Sequence, residues 1–337
     1  GVTLGATKAQ LKEGVTFDGD GYTISNATYN AAEKTGILFE SSTGGTVTNV
    51  KFLNCVANGT GNETVGIVVG LGNGGTFSKL EFNSCSATCN NYGGFVVGRN
   101  NNQATINISE ITTKNGCSVT TQQYGGLLVG DILGTSTVNF TDLHIDGEFK
   151  GSSGNGSFIA GRTRDNATVK VENAVITATM PNVNSIGIFA GGGATKLTLK
   201  NILILKTNNP ALGATNKTHT LTKENVVALT GVTVTGATAT DGENTVAYLT
   251  DTIGLDFENT WMAEGDSGYR LKAASTNIKS PDAVIKKLQL NIANAKTRFK
   301  VGEDFSTEGL SVMGAYSDGV QLVLNGETGY TVDSSAV

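Results

Sequence analysis

The sequence predicts an all-β protein, in which a right-handed parallel β-helix fills most of the chain and a smaller β-sandwich follows. Two short phrases recur in register and carry this prediction. The first has three apolar residues between two glycines, or a close variant, and its copies begin at positions 36, 66, 94, 126, 157 and 187. The second has an apolar residue at positions 50, 80, 111, 143, 174 and 202. A fixed period of this length is typical of solenoids and propellers.

The repeat length favours a β-helix over a propeller. Alternating and β-branched residues in both phrases indicate strands. One coil of a β-helix stacks on the next about 4.8 Å along the axis, so like residues lie on like. We therefore expect an inward ladder of Ile67, Phe95, Leu127, Phe158 and Ile188. A propeller blade needs four strands in roughly 40–50 residues, and these repeats are shorter.

Composition excludes several classes of protein. Charged residues are 16% of the chain, and glycine accounts for 45 of 337 residues. This is typical of short strands joined by tight turns, where glycine supplies positive φ angles. The net charge of −5 without a basic block argues against a nucleic-acid partner. No apolar run reaches the ~18 residues of a spanning helix, so we expect no membrane insertion within this fragment.

The first 24 residues read as a cap and an opening coil. The chain starts at Gly1 without an apolar leader, which we interpret as a processed or excised fragment. The segment from Ala6 to Leu11 has the pattern of a short amphipathic helix. The following Asp18-Gly19-Asp20-Gly21 is read as a turn between strands rather than a calcium loop, because the glutamate of an EF-hand is missing.

The predicted domains follow from changes in pattern along the chain. Residues 1–272 form the β-helix, with six clear repeats over 30–205 and degenerate coils over 206–251. Residues 252–272 contain the single tryptophan, and we expect a C-terminal lid with Trp261 buried against the last coil. Residues 273–283 read as a linker, and 284–337 as a partial sandwich.

The four cysteines leave the redox environment open. Cys55, Cys85 and Cys117 lie five or six residues after an apolar anchor of their repeats. This spacing favours a stacked column of buried thiols, with a disulfide between Cys89 and Cys117 as the alternative. Since no C-x-x-C pair occurs, a structural zinc site is not expected.

Three resemblances add an expectation about location. Gly93-Gly94-Phe95-Val96-Val97-Gly98 and its copy at 125–130 resemble the GLUG-like glycine-rich repeats of secreted bacterial surface proteins. Residues 15–24 look like the opening coil of pectate-lyase-like β-helices. Residues 299–305, 309–312, 316–319 and 329–333 resemble a bacterial immunoglobulin-like module, of which 284–337 would be only a part. The resemblances imply an extracellular, envelope-attached protein.

Three acidic side chains are candidates for a catalytic site. Glu81, Glu110 and Asp142 lie near equivalent places in successive repeats, and glycosidases need two carboxyl groups about 5 Å or about 6.5–9.5 Å apart. Glu110 and Asp142 align with Lys79 and Asn49 rather than with Glu81, so a solvated outer face is the preferred reading. His144 and His219 enter no catalytic set, and we expect no enzyme, cofactor or metal.

The candidate ligand-binding residues are Tyr92, Tyr124 and Arg99. The two tyrosines precede the double glycine in consecutive repeats, which predicts an aromatic strip one coil apart. Arg99 follows the strand in its repeat, and Arg162 and Arg164 do so in a later one. A flat Thr-x-Thr face for ice binding is less favoured, because the pattern is missing from most repeats.

The function expected from these features is that of a cell-surface adhesin or binding protein. A rigid rod would display variable turns to a carbohydrate or to a host or matrix surface. A polysaccharide lyase or glycoside hydrolase on the same scaffold is the first alternative. A structural spacer without a ligand is the second.

Overall fold

A computed structural model describes most of the chain. It covers residues 9–31, 34–59, 61, 64–101, 103–151, 156–164, 166–181, 186–193, 195–241, 244–264, 268–273, 284–291, 311–316 and 321–324. The chain divides into two compact units, residues 1–274 and 275–337. The first unit is a parallel β-helix of about six turns, as the repeats predict.

The β-helix is built from short strands with a few long ones near its C-terminal end. The strands are β1 (Gln10–Leu11), β2 (Thr16–Asp18), β3 (Thr23–Ser25), β4 (Thr28–Ala31), β5 (Thr35–Gly36), β6 (Phe39–Ser42), β7 (Thr46–Leu53), β8 (Val56–Gly59), β9 (Thr64–Gly66), β10 (Val69–Gly72), β11 (Gly75–Asn83), β12 (Ser86–Cys89), β13 (Tyr92–Gly94), β14 (Val97–Asn100), β15 (Thr105–Lys114), β16 (Ser118–Thr121), β17 (Tyr124–Gly125), β18 (Val129–Ile132), β19 (Thr137–Gly151), β20 (Ala160–Thr163), β21 (Ala167–Thr179), β22 (Ala190–Gly192), β23 (Thr195–Thr207), β24 (His219–Leu229) and β25 (Thr238–Thr240).

Three parallel sheets wrap around the axis. The order β1-β6-β10-β14-β18-β20-β22 forms the first sheet, and β5-β9-β13-β17 forms the smallest. The longest sheet contains the second phrase, with β7, β11, β15, β19, β21, β23 and β24 in successive coils. Gly66 pairs with Gly94 in neighbouring coils, so the expected stacking is confirmed. Successive equivalents in sequence are therefore neighbours in space.

The interior is a continuous ladder of apolar side chains. The expected inward residues Ile67, Phe95, Leu127, Phe158 and Ile188 are all fully buried. Aromatic rings stack along the same axis, because equivalent positions in neighbouring coils lie one strand spacing apart. The rings of Phe52 and Phe82, for example, lie 5.1 Å apart and 7° from parallel. This ladder gives the β-helix one continuous core from coil to coil.

Each long strand turns at a left-handed residue just before its apolar anchor. The column comprises Asn49, Lys79, Glu110, Asp142, Asn173, Asn201 and Asn225, all with φ between 52° and 58°. Asparagine and aspartate tolerate this conformation better than most residues. Their side chains also bond along the column, with Asn201 Nδ2 donating to Asn173 Oδ1 at 3.0 Å. Asn173 Nδ2 donates in turn to Asp142 Oδ1 at 3.2 Å.

All four cysteines are buried free thiols. Cys55, Cys85 and Cys117 follow the second phrase in three successive coils and form the expected column. Cys89 lies elsewhere, next to Thr121 of the following coil, and the alternative disulfide with Cys117 does not form. Burial, together with the neighbouring thiols, raises the pKa of Cys85 well above its usual value.

The N-terminal segment departs from the expected helix. Residues 1–8 lie outside the described residues. Gln10 and Leu11, at the end of the segment for which a helix was expected, instead form strand β1 and pair with Ser41 and Ser42. The pairing satisfies backbone groups of the first sheet that a helix would have left exposed.

The C-terminal part of the first unit is a strap rather than an end lid. This strap (residues 244–264 and 268–273) contains α1 (Val246–Tyr248), a π-helix (Leu249–Ile253), β26 (Trp261–Glu264) and the antiparallel β27 (Gly268–Leu271). Trp261 is fully buried, as expected, but it lies beside His144 in a middle coil. The expected contact with the last coil is therefore wrong.

The reason lies in one outward column of the longest sheet. Its members in successive coils are Lys51, Glu81, Thr112, His144, Val175, Leu203 and Val227. The later members are apolar, and the strap buries them together with Leu249, Ile253 and Leu271. Burial of apolar surface thus draws the strap along the side of the rod.

The second unit is described as one antiparallel sheet of three strands. They are β28 (Ile285–Asn291), β29 (Ser311–Tyr316) and β30 (Gln321–Leu324), in that order. Most of the motifs that resemble an immunoglobulin-like module, and nearly all of the expected linker, lie outside the described residues. That module therefore remains a prediction. Within the described part of the chain, no helix has the length and apolar character needed to cross a membrane.

Candidate ligand-binding site

The site lies where the glycine-bounded phrase folds back on itself. Each copy makes a narrow neck, through which the strands of the smallest and the seven-stranded sheets approach closely. A Cβ atom on Gly98 would lie 2.6 Å from the backbone oxygen of Val65 and 2.8 Å from that of Gly70. Glycine is required here because the neighbouring backbone occupies the space of a side chain. The neck brings the residue before the double glycine next to the residue after the closing glycine.

Tyr92 and Tyr124 meet in neighbouring coils, as their spacing predicts. They pair across β13 and β17. Their rings are stacked, with centroids 5.6 Å apart and planes 15° from parallel. Both side chains are half-buried. The structure thus places the two tyrosines as a connected pair on the outside of the coil.

Two arginines contact the tyrosines. The guanidinium of Arg99 lies 4.9 Å from the ring centroid of Tyr92. That of Arg162 lies 3.4 Å from the centroid of Tyr124 and 5.3 Å from that of Tyr92. Arg162 Nη2 also donates to the Tyr92 hydroxyl at 3.3 Å. Because the rings face each other and the guanidiniums, the tyrosines present mainly edges and hydroxyls to a ligand.

Asp131 holds the arginines in place. It is fully buried, and it lies between Arg99 and Arg162 in the pairing of β14, β18 and β20. Arg162 makes a two-pronged contact, with Nε 2.8 Å from Oδ1 and Nη2 3.2 Å from Oδ2. Arg164 Nη2 donates to Oδ2 at 3.0 Å, and Arg99 Nε lies 3.4 Å from the same oxygen. One carboxylate therefore orients three guanidinium groups.

The charges of this Arg–Tyr cluster (Tyr92, Arg99, Tyr124, Asp131, Arg162 and Arg164) are unbalanced. Burial alone would lower the pKa of Arg162, but the hydrogen bond and the charge of Asp131, with help from Tyr92, raise it. Arg162 therefore stays protonated at any physiological pH. Within the described residues, no second acid pairs with any of them. The cluster carries a net charge of about +2 on a protein whose overall charge is negative.

The sequence carried a signal for Asp131 that the sequence reasoning missed. Arg99, Asp131 and Arg162 each follow the closing glycine of their repeat. Alternating charges at one repeat position predict a salt-bridged column once the coils are stacked. Arg162 and Arg164 share with Arg99 a place after the strand of their repeat, but only Arg99 was predicted to bind a ligand. The structure brings all three to Asp131, and Arg162 also contacts both tyrosines.

The acids weighed as catalytic groups do not form one site. Glu81 is buried and pairs with Lys114 at 2.9 Å. Glu110 and Asp142 belong to the left-handed column, and the pairing of Leu80 with Ile111 confirms that Glu81 is in a different one. Burial raises the pKa of Asp142, with a smaller contribution from Glu110.

The described residues contain no group of three or more His, Cys, Asp or Glu side chains arranged to hold a metal ion. In the turn weighed as a calcium loop, the backbone amide of Asp20 donates to Asp18 Oδ1 at 2.8 Å. Asp20 also has a positive φ of 47°. Both features are those of an aspartate-stabilised turn.

These observations define the class of protein as a parallel β-helix that carries an Arg–Tyr cluster on its side. Comparison of the chain with protein-family models, curated proteins and solved structures finds no match. The function of the protein is therefore inferred from the geometry of its own residues.

Proposed function

We propose that this protein is an extracellular, cell-surface binding protein of the adhesin type and not an enzyme. The β-helix acts as a rigid rod, and the Arg–Tyr cluster contacts a glycan or a matrix surface. The single observation that carries this proposal is the buried Asp131, which fixes three arginines beside two stacked tyrosines. Arginine and tyrosine are the side chains that most often dominate binding surfaces.

Preorganisation supports a binding role. An arginine free in solvent loses rotamer freedom when it binds, at a cost of about 0.5–1.5 kcal/mol per side chain. Arg162 has already lost that freedom, because its Nη2 donates to both Asp131 and Tyr92 and its Nε donates to Asp131. The pairing of β14, β18 and β20 fixes the backbone beneath it. A ligand therefore meets a surface with little ordering left to do.

The extracellular location is supported by composition and by the repeat resemblance. Few charges, many glycines and a stacked rod suit a protein that projects from an envelope. The partner would then be a carbohydrate or a protein of the surroundings rather than a nucleic acid or a lipid bilayer.

A polysaccharide-cleaving enzyme is the second candidate, and one observation favours it. Glu110 and Asp142 occupy the same corner of neighbouring coils, whose backbones lie about 4.8 Å apart in a sheet. Retaining glycosidases have two carboxyl groups about 5 Å apart. Against it, Trp261 Nε1 and Asn173 Nδ2 both reach the same Asp142 oxygen. A carboxyl group engaged by the strap is poorly placed to contact a substrate. A structural spacer is the third candidate and would have no ligand.

A glycan and matrix-protein array, read beside a reducing-sugar and unsaturated-product assay, tests the proposal. We expect retention of at least one glycan or matrix protein and no product. Turnover that a Glu110→Gln or Asp142→Asn substitution abolishes would replace binding with catalysis. The absence of any retention or product would favour the spacer.

A further inference from the structure

We infer that the Arg–Tyr cluster recognises the acidic group of a polysaccharide, a carboxylate or a sulfate ester, through Arg99 and Arg164. This inference rests on the proposed glycan-binding function and names the class of ligand. Asp131 and Arg162 act as positioning residues beneath the two contact arginines.

The three arginines differ in how much of each side chain reaches solvent. The side chain of Arg162 is 10% exposed, and Asp131 and Tyr92 engage it. Those of Arg99 and Arg164 are 29% and 31% exposed, so both reach solvent. Arg162 thus neutralises the buried acid, while Arg99 and Arg164 remain as the excess charge.

The contact arginines have N–H donors that Asp131 does not use. Arg99 Nε and Arg164 Nε are themselves buried and make no hydrogen bond, so the donors that can reach a ligand are the outer N–H groups of these two side chains, which are 29% and 31% exposed. Each guanidinium has five N–H groups, and both approach the same oxygen, Asp131 Oδ2. Two guanidiniums held around one point suit a second anion, because carboxylates and sulfates accept paired N–H donors.

The covered faces of the tyrosine rings favour an acidic sugar over a neutral one. A neutral sugar is commonly held by an open aromatic face, but Tyr92 and Tyr124 stack on each other and beneath guanidiniums. What remains is charge, together with tyrosine edges and hydroxyls for sugar hydroxyl groups. The rest of the protein is acidic, so a polyanion would be repelled elsewhere and would concentrate at this cluster.

The test uses the whole chain against immobilised polygalacturonate (carboxylate), dextran sulfate (sulfate ester), neutral dextran and poly-L-glutamate. We expect retention on at least one acidic polysaccharide, weakened by salt. Arg99→Gln and Arg164→Gln should each lower the affinity about tenfold or more, since a charge-assisted contact is lost. Lys170→Gln removes the same charge from an exposed site on another sheet and should change it by less than about twofold.

The outcomes separate the inference from the proposed function. Equal retention on neutral dextran, unaffected by the arginine variants, keeps glycan binding but overturns recognition of an acidic group. An equal loss in Lys170→Gln overturns the site, because general electrostatics would then explain binding. Equal retention on poly-L-glutamate overturns the sugar as ligand. Failure of every polysaccharide, and of the array, refutes the proposed function, and the inference falls with it.

Two further variants guard against misfolding as the cause of a loss. Arg99→Lys and Arg164→Lys keep the charge but not the planar fork, so we expect affinities between those of the wild type and the glutamine variants. Far-ultraviolet circular dichroism should show the same melting for all variants. Full rescue by lysine would overturn the paired-donor geometry while leaving a charge requirement.

Discussion

The histidine beneath the strap should make the protein less stable as the solution becomes acidic. His144 lies between the aromatic rings of the strap, with ring centroids 5.3 Å from Tyr269 and 5.7 Å from Trp261. Burial, with a smaller contribution from the positive charge of Lys114, lowers the pKa of His144 from 6.5 to about 4. The perturbation we propose is His144→Leu, because Val175 and Leu203 already stand in the same column.

The sign and size of the effect follow from proton linkage. In the unfolded chain His144 binds a proton near pH 6.5, whereas in the folded protein it does so only near about pH 4. The unfolded state therefore binds more protons than the folded state between these two pH values. The contribution of His144 to the stability of the folded protein is complete above pH 6.5 and is lost as the pH falls towards about 4. Between about pH 7.5 and about pH 5 the loss is about 2 kcal/mol. The raised pKa of Asp142 acts in the opposite direction and offsets part of the loss at the acid end.

Urea unfolding across this range, followed by the fluorescence of Trp261, measures the effect. We expect the wild type to lose about 2 kcal/mol and His144→Leu to lose much less. The matched control is His219→Leu, which removes the other histidine, whose ring faces Gly213 away from the strap. Because burial also lowers the pKa of His219, this variant should remove only the share of the pH dependence that His219 contributes and should leave the share of His144 in place. An unaltered slope in His144→Leu would refute the reasoning, because the proton would then bind elsewhere.

Three further predictions concern the neck, the strap and the buried acid. Gly98→Ala places a Cβ 2.6, 2.7 and 2.8 Å from three backbone atoms, so we expect a loss of more than about 3 kcal/mol by chemical denaturation. Gly116 has open space around it but a φ of 80°, so Gly116→Ala should lower the free energy of unfolding by only about 1–2 kcal/mol. Trp261→Ala should cost the strap about 3–5 kcal/mol, seen as faster hydrogen exchange over residues 268–271 with the rod unchanged. Asp131→Ala leaves three arginines without their counter-ion and should cost about 3 kcal/mol or more by the same denaturation assay, partly recovered in high salt.

Each of these has an outcome that contradicts it. Equal losses in Gly98→Ala and Gly116→Ala would mean that backbone conformation, not space, selects glycine at the neck. Exchange that rises throughout the rod in Trp261→Ala would make the strap part of the main folding unit. A neutral effect of Asp131→Ala would mean that solvent screens the arginines fully.

Much of the β-helix could be predicted because its repeats carry their own register. Gly66 and Gly94 are equivalent in sequence and adjacent in space, since each strand pairs with its copy one coil away. The same spacing predicts from the sequence alone that Tyr92 lies beside Tyr124, and the two residues pair in the structure. The expected helix over Ala6 to Leu11 failed at its end because pairing with Ser41 and Ser42 outweighs local amphipathicity.

The candidate site was only half visible in the sequence. Spacing locates the residues of one sheet relative to their copies, but it does not say which two sheets approach each other at the neck. Arg162 reaches Tyr92, 70 positions earlier, only because the chain folds back through the glycines. The strap shows the same limit, since Trp261, which lies outside the repeats, reaches Asp142, 119 positions earlier.

The sequence by itself determined the period, the coil and the inward ladder, because a repeated pattern of apolar residues has one stacked arrangement that buries them all. Only the tertiary structure decided where the strap lies and which tyrosines the arginines around Asp131 meet. Those contacts join the strap to a coil, or one sheet to another, and the repeat period fixes neither, so their partners are selected by the surfaces that remain after the coils have stacked.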